Sequence, residues 1–287
     1  MAAVSFLSAC PANGQEALGK WSVRATAVSV YATPMPLATI PAGWFLMGSP
    51  RLDLTFGLAT PYDNTEIPQR RIWVDGYMID QYEVSVAQYL KWAITSSLSM
   101  DAMDTLFSEA ASVSDKIFAV RPMGSVTWFE ADRFCRSQGK RLPTEAEWEK
   151  AARGTDGRLF PWGDAPPDQK LAVFDRSSSS SVELAAVDSL SAGRSPYGLH
   201  HMAGNVAEWV QDWNGIDWYV IMPERNPQGP SSGRYRVIRG GSWRSPPVML
   251  RAATRNAAEP ARRSPTIGFR CAASTSTPDG ERTAPVK

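Results

Sequence analysis

The chain has 287 residues, of which 43% are apolar and 21% are charged, values typical of a folded globular protein. Thirty Lys and Arg residues balance 29 Asp and Glu residues to a net charge of +1, so the charge does not favour nucleic-acid binding. No apolar run approaches the roughly 18 residues of a membrane-spanning helix, so membrane contact is expected only through a lipid anchor. Eleven Trp, 22 Pro and 21 Gly residues indicate a loop-rich fold with aromatic side chains in its core.

Cysteine and histidine are scarce in this sequence. The three cysteines are Cys10, Cys135 and Cys271, and none belongs to a Cys-x-x-Cys pair. The two histidines, His200 and His201, are adjacent, so a zinc site of the usual spacing is not expected. An odd number of cysteines suggests that two are paired and that the third has another fate.

The N-terminal segment predicts an exported protein. Residues 7–10, LSAC, resemble the lipobox of bacterial lipoproteins, in which Cys10 is lipidated after signal cleavage. The preceding segment is short and lacks Lys and Arg, which a start site placed too far downstream would explain; the alternative is a chance tetrapeptide. We therefore expect a truncated lipoprotein signal and linker over residues 1–37, a globular domain over 38–275 and a flexible tail over 276–287. The expected location is extracytoplasmic, either periplasmic or lipid-anchored.

Hydrophobic patterning predicts several elements in chain order. Buried strands followed by turns are expected at residues 40–49, 71–79 and 158–164. Residues 86–94 place their apolar side chains on one helical face. The run of serines at 177–181 is typical of an exposed loop.

Two further helices are predicted from their ends. Thr127 and Thr144 each precede a glutamate by three residues, the capping-box spacing that begins a helix. Gly139 and Gly154 are expected to end these helices, because glycine adopts the left-handed backbone conformation found after helix C-termini. The glutamates are interpreted as capping and surface groups rather than as catalytic acids.

The segment Arg236–Ala273 has little regular periodicity. Two β-type runs, 236–239 and 267–271, bracket about 27 residues rich in Gly, Pro, Ser, Ala and Arg. Loops held on a scaffold are where binding and chemistry usually reside, so we expect the functional site here. The alternative is an irregular segment whose arginines pair internally.

Seven motifs occur along the chain in an order that identifies a family. They are FLMGS at 45–49, YEVS at 82–85, GKRLPTEAEWEKAAR at 139–153, FPWG at 160–163, GNVAEW at 204–209, RGGSW at 239–243 and GFRCA at 268–272. Over about residues 38–273 the chain resembles the formylglycine-generating enzyme, or sulfatase-modifying factor, domain. The resemblance implies an α+β fold, irregular, loop-rich and C-type-lectin-like. It also implies a disulfide between Cys135 and Cys271, which requires an oxidising compartment.

The resemblance carries an expectation about copper. In the oxidases of this family, two cysteines shortly after the GGS motif bind copper(I) and convert a sulfatase cysteine to formylglycine with O₂. Those two positions fall here on Ser245 and Leu250. Neither side chain can replace a thiolate, the soft ligand that copper(I) requires. Copper is therefore not expected, and the chain is not expected to generate formylglycine by that mechanism.

The resemblance also implies a calcium site made from one side-chain ligand, two backbone carbonyls and a glutamate. These positions fall on His201, the carbonyls of Gly204 and Val206, and Glu208. Imidazole is a poor ligand for a hard cation, so this calcium site is expected to be weak. A second calcium site of the family is expected to be lost, because Ala172 stands near the expected asparagine.

Three functions are compatible with the sequence. The first is a non-canonical accessory or ligand-binding protein of the bacterial cell envelope, with an unknown protein or small molecule as its partner. The second is an enzyme of different oxidative or maturation chemistry on the same scaffold, and the third is the variable ligand-binding protein of a diversity-generating retroelement. The pocket candidates are Ser242, Trp243, Arg244, Ser245 and Glu208, and the candidate binding residues are Trp209, Leu250, Arg251, Arg255 and Asn256.

Overall fold

Short helices and strands alternate irregularly in the computed structural model, which describes residues 22–50, 63–96, 113–176 and 184–275. The predicted lipobox at Cys10, the serine run at 177–181 and the tail at 276–287 lie outside the described residues. The helices are α1 (Ser22–Ser29), α2 (Val86–Thr95), α3 (Asp115–Ala119), α4 (Trp128–Ser137), α5 (Glu145–Arg153) and α6 (Trp218–Ile221). The strands are β1 (Leu37–Ile40), β2 (Gly43–Met47), β3 (Arg70–Val74), β4 (Tyr77–Asp80), β5 (Ala207–Trp213), β6 (Arg236–Arg239), β7 (Arg255–Ala258), β8 (Ile267–Gly268) and β9 (Ala272–Ser274).

The helix starts follow the predicted capping boxes. At α4, the Thr127 hydroxyl accepts a hydrogen bond from the Glu130 N–H, and the Glu130 carboxylate accepts one from the Thr127 N–H at 2.8 Å. Thr144 and Glu147 repeat this arrangement at the start of α5. Gly154 ends α5 with a φ of +71°, a conformation that glycine adopts without strain. The predicted capping boxes are therefore confirmed, but Glu147 is buried rather than a surface group.

The strands form three small sheets. One has the order β1–β4–β9, the second is the hairpin β2–β3, and the third has the order β7–β6–β5–β8 with a parallel β5–β8 pair. The strand predicted at 71–79 is in fact two strands, because the chain turns at residues 75–76 and each half pairs in a different sheet. The prediction of a strand at 158–164 is wrong, because only a single β-bridge, between Phe160 and Gly163, forms there.

The segment predicted as a linker contains a packed helix, α1. Ala25 and Val28 of α1 are fully buried in the same apolar cluster as α2. Arg24 donates to the Asp115 carboxylate at 2.9 Å, at the first turn of α3. Small residues give α1 a weak amphipathic pattern, so composition alone resembled that of a linker. The packed part of the chain therefore includes residues before 38.

Cys135 of α4 and Cys271 before β9 form the disulfide that the resemblance implied, with an S–S distance of 2.01 Å. Both cysteines are fully buried, in an apolar cluster with Trp209 and Phe269. Closing a loop across 136 positions stabilises the fold by up to about 5 kcal/mol, because it restricts the unfolded chain. Across the described ranges, no helix has the length and apolar character needed to cross a bilayer.

Helix α5 is tied to the third sheet by buried ion pairs. The Arg239 guanidinium donates to Glu149 at 2.5 Å, and Arg255 donates to both oxygens of Glu145 at 2.6 and 2.9 Å. All four side chains are at most 1% exposed. Removing one partner of such a pair would leave an uncompensated buried charge. The sequence left open the alternative that arginines of the C-terminal segment form ion pairs inside the protein. Arg239 and Arg255 do so, with partners in α5.

Candidate functional site

A cleft of about 520 Å³ opens at one end of the sheet β7–β6–β5–β8, a volume within the range of small-molecule sites. The chain leaves β6 and enters β5, β7 and β8 at this end, so the loop before β5, the β6–β7 loop and the β7–β8 loop meet there. The lining residues are Ala207, Ile238, Gly240, Gly241, Ser242, Arg244, Ser245, Pro246, Met249, Thr254, Asn256, Arg262, Arg263, Ser264, Pro265, Thr266 and Ile267. The cleft therefore lies within the C-terminal segment where the sequence placed the site.

At position 241, which lines the cleft, only glycine fits both the backbone conformation and the available space. Gly241 has a φ of +69°, and a Cβ there would lie 2.8 Å from the carbonyl oxygen of Met249. The same Cβ position would lie 3.1 Å from Leu250 Cδ2 and 3.3 Å from Ser245 Oγ. The two positions that the resemblance assigns to copper cysteines, Ser245 and Leu250, thus both border Gly241.

Ser242 and Ser245 form a hydrogen-bonded turn in the wall of the cleft. The Ser245 hydroxyl accepts from the Ser242 N–H at 2.9 Å, and the two hydroxyl oxygens are 3.4 Å apart. The Ser245 N–H in turn donates to the Ser242 carbonyl at 2.9 Å. Each hydroxyl is therefore fixed in place. The two hydroxyls can form hydrogen bonds with a bound molecule but are poor groups for coordinating a metal.

Leu250 belongs to the core beneath the cleft. Its side chain is fully buried in an apolar cluster with Phe160, Phe174 and Ala203. The prediction that Leu250 contacts a ligand is therefore wrong, because its surface is taken up by packing. Ala172 lies in the same apolar cluster and is also fully buried.

Three other predicted binding residues are also inside the protein. Arg251 donates to Glu66 at 2.6 Å and is 1% exposed, and Arg255 is held by α5. Trp209 is fully buried and donates its indole N–H to the Val126 carbonyl at 3.0 Å. These side chains hold the fold together and are not available to a ligand. Asn256, in contrast, is half-buried and lines the cleft.

The side chains of Trp243 and Arg244 pack against each other. Trp243 is 1% exposed, and its indole N–H points at the Pro265 carbonyl at 3.4 Å. The Arg244 guanidinium lies 4.6 Å from the centroid of the Trp243 ring, a cation–π contact that orients the arginine. Trp243 is therefore a buried support, whereas Arg244 is exposed and lines the cleft.

Glu208 is engaged in a buried ion pair instead of facing the cleft. Its Oε1 accepts from Arg270 Nη2 at 2.7 Å, and its Oε2 accepts from Arg270 Nε at 2.7 Å and from the Trp148 indole at 2.8 Å. Glu208 and Arg270 are both fully buried. A guanidinium cation therefore already neutralises this carboxylate, so Glu208 is neither a pocket residue nor an open metal ligand.

The side chain of His201, another predicted calcium ligand, also has a protein partner. His201 Nε2 lies 3.0 Å from the Ala186 carbonyl, and burial lowers the pKa of this imidazole to about 4. Because the required carboxylate is taken by Arg270, these residues do not fit a calcium ion. Within the described ranges, no group of three or more His, Cys, Asp or Glu side chains could hold a metal.

Two arginines that line the cleft, Arg262 and Arg263, were not predicted from the sequence. Arg263 donates to both oxygens of Glu130 at 2.6 and 2.7 Å, so the residue that caps α4 also fixes one side of the cleft. The tandem arginine lies in the segment predicted to hold the site. Nothing in its spacing distinguishes it from the other arginines there, most of which are buried.

These features define the class of protein: an α+β, C-type-lectin-like domain whose cleft is built by C-terminal loops. The family described as the sulfatase-modifying factor enzyme 1-like domain matches residues 29–275, and the chain belongs to this family.

Three relatives show the range of the family. The chain is 31% identical over 318 residues to the formylglycine-generating enzyme of Mus musculus, across 91% of this chain and 83% of that protein. It is 34% identical over 259 residues to the serine/threonine-protein kinase pkn1 of Chlamydia caviae, across 83% of this chain but only 38% of that protein. The hercynine oxygenase of Mycolicibacterium smegmatis is 39% identical over 161 residues, across 53% of this chain and 37% of that protein. The chain thus spans well under half the length of the kinase and the oxygenase.

Solved structures share the fold. Treponema denticola variable protein 1 superposes with a TM-score of 0.64 at 23% identity, across 86% of this chain and 97% of that one. PvdO from Pseudomonas aeruginosa superposes with a TM-score of 0.61 at 24% identity, across 83% of this chain and 94% of that one. At these identities the similarity shows the architecture alone.

Proposed function

We propose that this chain is a non-canonical member of its family that does not make formylglycine and instead binds a ligand in the C-terminal cleft. One observation carries the proposal: the two positions of the copper cysteines, Ser245 and Leu250, both border Gly241, and neither carries a thiol. A serine hydroxyl is a hard, weak ligand and a leucine side chain is no ligand, so this pair does not fit copper(I).

The wall of the cleft supports ligand binding. Ser242, Ser245 and Asn256 place hydrogen-bonding groups beside apolar side chains such as Met249 and Ile238. Small-molecule sites commonly combine apolar walls with a few fixed polar groups. Because the loops that hold these residues are tied to buried ion pairs and to the Gly241 turn, the cleft is preorganised, which reduces the entropic cost of binding.

We also propose that the protein works in the bacterial cell envelope. The LSAC sequence at residues 7–10 and the buried Cys135–Cys271 bridge support this location, because lipidation and stable disulfides both belong to extracytoplasmic proteins. Metabolic labelling with palmitate in a bacterial host, with the gene expressed together with its native upstream sequence, tests the anchor. Label should enter the membrane fraction with the wild-type chain and be lost in Cys10→Ala, and equal labelling of both would refute the anchor.

Filling the cleft tests the binding function. Ser245→Trp would place an indole in the cleft, whereas Ser232→Trp adds the same group at an exposed loop position. A small-molecule library screened by thermal shift should contain ligands that stabilise the wild type and Ser232→Trp but not Ser245→Trp. If every stabilising ligand acts equally on all three proteins, the cleft is not the binding site.

A second candidate is oxidative chemistry other than formylglycine formation, which the 39% identity to a hercynine oxygenase over 161 residues favours. The two candidates differ in the fate of the ligand. A binding protein returns the bound compound unchanged after incubation in air, whereas an oxygenase returns an oxidised product that mass spectrometry detects.

A further inference from the structure

We infer that the ligand of the cleft is an anion, held through a carboxylate or phosphate group between Arg244 and Arg262. This inference rests on the proposed function, since it concerns the same cleft. Both arginines line the cleft, and no Asp or Glu is among its described lining residues. The whole chain has a net charge of +1, so the basic character of the cleft is local and does not follow from overall composition.

The two arginines carry uncompensated charge. Arg244 contacts the Trp243 ring, and neither Arg244 nor Arg262 has an ion-pair partner in the part of the chain that the structure describes. This distinguishes them from Arg251, Arg255 and other buried arginines of the same segment, each of which meets a carboxylate. An unpaired guanidinium in a cleft presents several N–H donors in one plane, which match the two oxygens of a carboxylate or phosphate.

The position of Arg244 is fixed before any ligand arrives. Its guanidinium carbon Cζ lies 4.6 Å from the Trp243 ring centroid, and Trp243 is locked in the core. Among the described residues, the side-chain N–H groups of Arg244 have no hydrogen-bond partner, so they are left for a ligand in the cleft. Less side-chain entropy is lost on binding when an arginine is already oriented.

Arg263 also lines the cleft, but unlike Arg262 it has a carboxylate partner. It lines the same wall as Arg262, but Glu130 neutralises it through two hydrogen bonds of 2.6 and 2.7 Å. Replacing Glu130 by glutamine removes that negative charge and keeps a side chain that can still complete the capping box with Thr127. Glu130→Gln should thus make the cleft more positive while α4 stays capped.

The experiment is calorimetric titration of the purified chain at low, constant ionic strength. The probes are succinate and inorganic phosphate, with uncharged succinamide as the matched control. The wild type should bind at least one of the two anions at one site and not succinamide, and the tighter anion identifies the group recognised. The affinity should fall as salt is added, because exposed charges are screened beyond about 8 Å at physiological ionic strength.

Variants change the affinity in opposite directions. Arg244→Gln/Arg262→Gln should weaken anion binding by about ten- to a hundred-fold or more, the loss expected for one or more charge-assisted hydrogen bonds. Arg136→Gln/Arg194→Gln removes the same charge at exposed positions outside the cleft and should bind like the wild type. Glu130→Gln should bind the anion several-fold more tightly, an increase that a purely structural role would not produce.

Two results would overturn the inference. One is unchanged anion affinity in the Arg244→Gln/Arg262→Gln variant, and the other is a wild type that binds neither anion. In either case the proposed function survives if an uncharged or cationic ligand stabilises the wild type but not Ser245→Trp. It fails together with the inference if no ligand depends on an open cleft.

Discussion

Arg270 donates to both carboxylate oxygens of Glu208, with Nη2–Oε1 and Nε–Oε2 distances of 2.7 Å each, where neither side chain is exposed. The pair joins the start of β5 to the segment before β9. Arg270 also donates to the His200 carbonyl at 2.8 Å and to the Asp80 and Gln81 carbonyls at 3.2 Å, so its guanidinium binds three separate parts of the chain. Glu208, which the family resemblance predicts to be a metal ligand, instead stabilises the fold through its ion pair with Arg270.

Arg270→Met should destabilise the protein by about 3–5 kcal/mol, because it leaves the Glu208 carboxylate buried without its cation. Urea unfolding followed by tryptophan fluorescence measures the change. Arg136→Met, which removes a largely exposed arginine from its pair with Asp132, is the matched control and should cost less than about 0.5 kcal/mol. Equal effects of the two substitutions would contradict the role assigned to Arg270.

Calcium should not stabilise the protein, because Arg270 already occupies the carboxylate of the predicted site. Thermal unfolding in millimolar calcium and in excess EDTA should give the same Tm. A ligand at a hundred times its Kd would add about 2.7 kcal/mol to the free energy of unfolding. A rise in Tm of several degrees that is specific to calcium and not to magnesium would show that the site binds calcium after all.

Cysteines can be introduced at the two positions, 245 and 250, that the resemblance assigns to the copper ligands. Ser245→Cys/Leu250→Cys should gain tight copper(I) binding that the wild type and either single variant lack, because both positions border Gly241 and thiolates are the soft ligands that copper(I) requires. Titration against a chromophoric copper(I) chelator measures this gain. The double variant should lose about 2 kcal/mol of stability, since Leu250→Cys removes buried apolar volume. Equal copper affinity in the double variant and the wild type would contradict the placement of these two positions.

The stability of the protein should fall as the pH drops from about 6.5 towards 4, in part because of His201. Burial lowers the pKa of this imidazole from 6.5 to about 4, so within this window the unfolded chain binds a proton that the folded chain does not. Stability therefore rises with pH there, and the contribution is up to about 3 kcal/mol over the window.

His201→Asn isolates this contribution. Asparagine tolerates the φ of +54° at position 201 and does not titrate. Urea unfolding from pH 7 to pH 4 should show a smaller loss of stability in the variant than in the wild type. Other titrating groups are common to both proteins, so a parallel pH dependence would mean that His201 is protonated equally in the folded and unfolded states.

Local signals in the sequence predicted local structure well. The capping boxes at Thr127 and Thr144 and the helix-ending Gly154 were read correctly, because each signal acts over a few residues. The strand at 236–239 was also found. Helix α1 was missed because its small residues are buried only by contacts with α2 and α3, which the segment itself does not reveal.

Long-range pairings could not be predicted from the sequence. Arg255 and Glu145 are 110 positions apart, and nothing near either residue indicates the partner. For that reason the sequence predicts binding roles for the buried Arg251 and Arg255 and does not single out the accessible Arg262 and Arg263. The Cys135–Cys271 bridge was predicted, but through the resemblance to a family and not through spacing.

The most direct test of the central claim is a peptide oxidation assay. The purified chain, loaded with copper(I) and exposed to air, is incubated with a sulfatase-derived cysteine peptide, with a formylglycine-generating enzyme as the positive control. Mass spectrometry should find the peptide cysteine unchanged with this chain, because Ser245 and Leu250 stand where the copper thiolates would be. Formylglycine in the peptide, formed in proportion to the amount of this protein, would contradict the account.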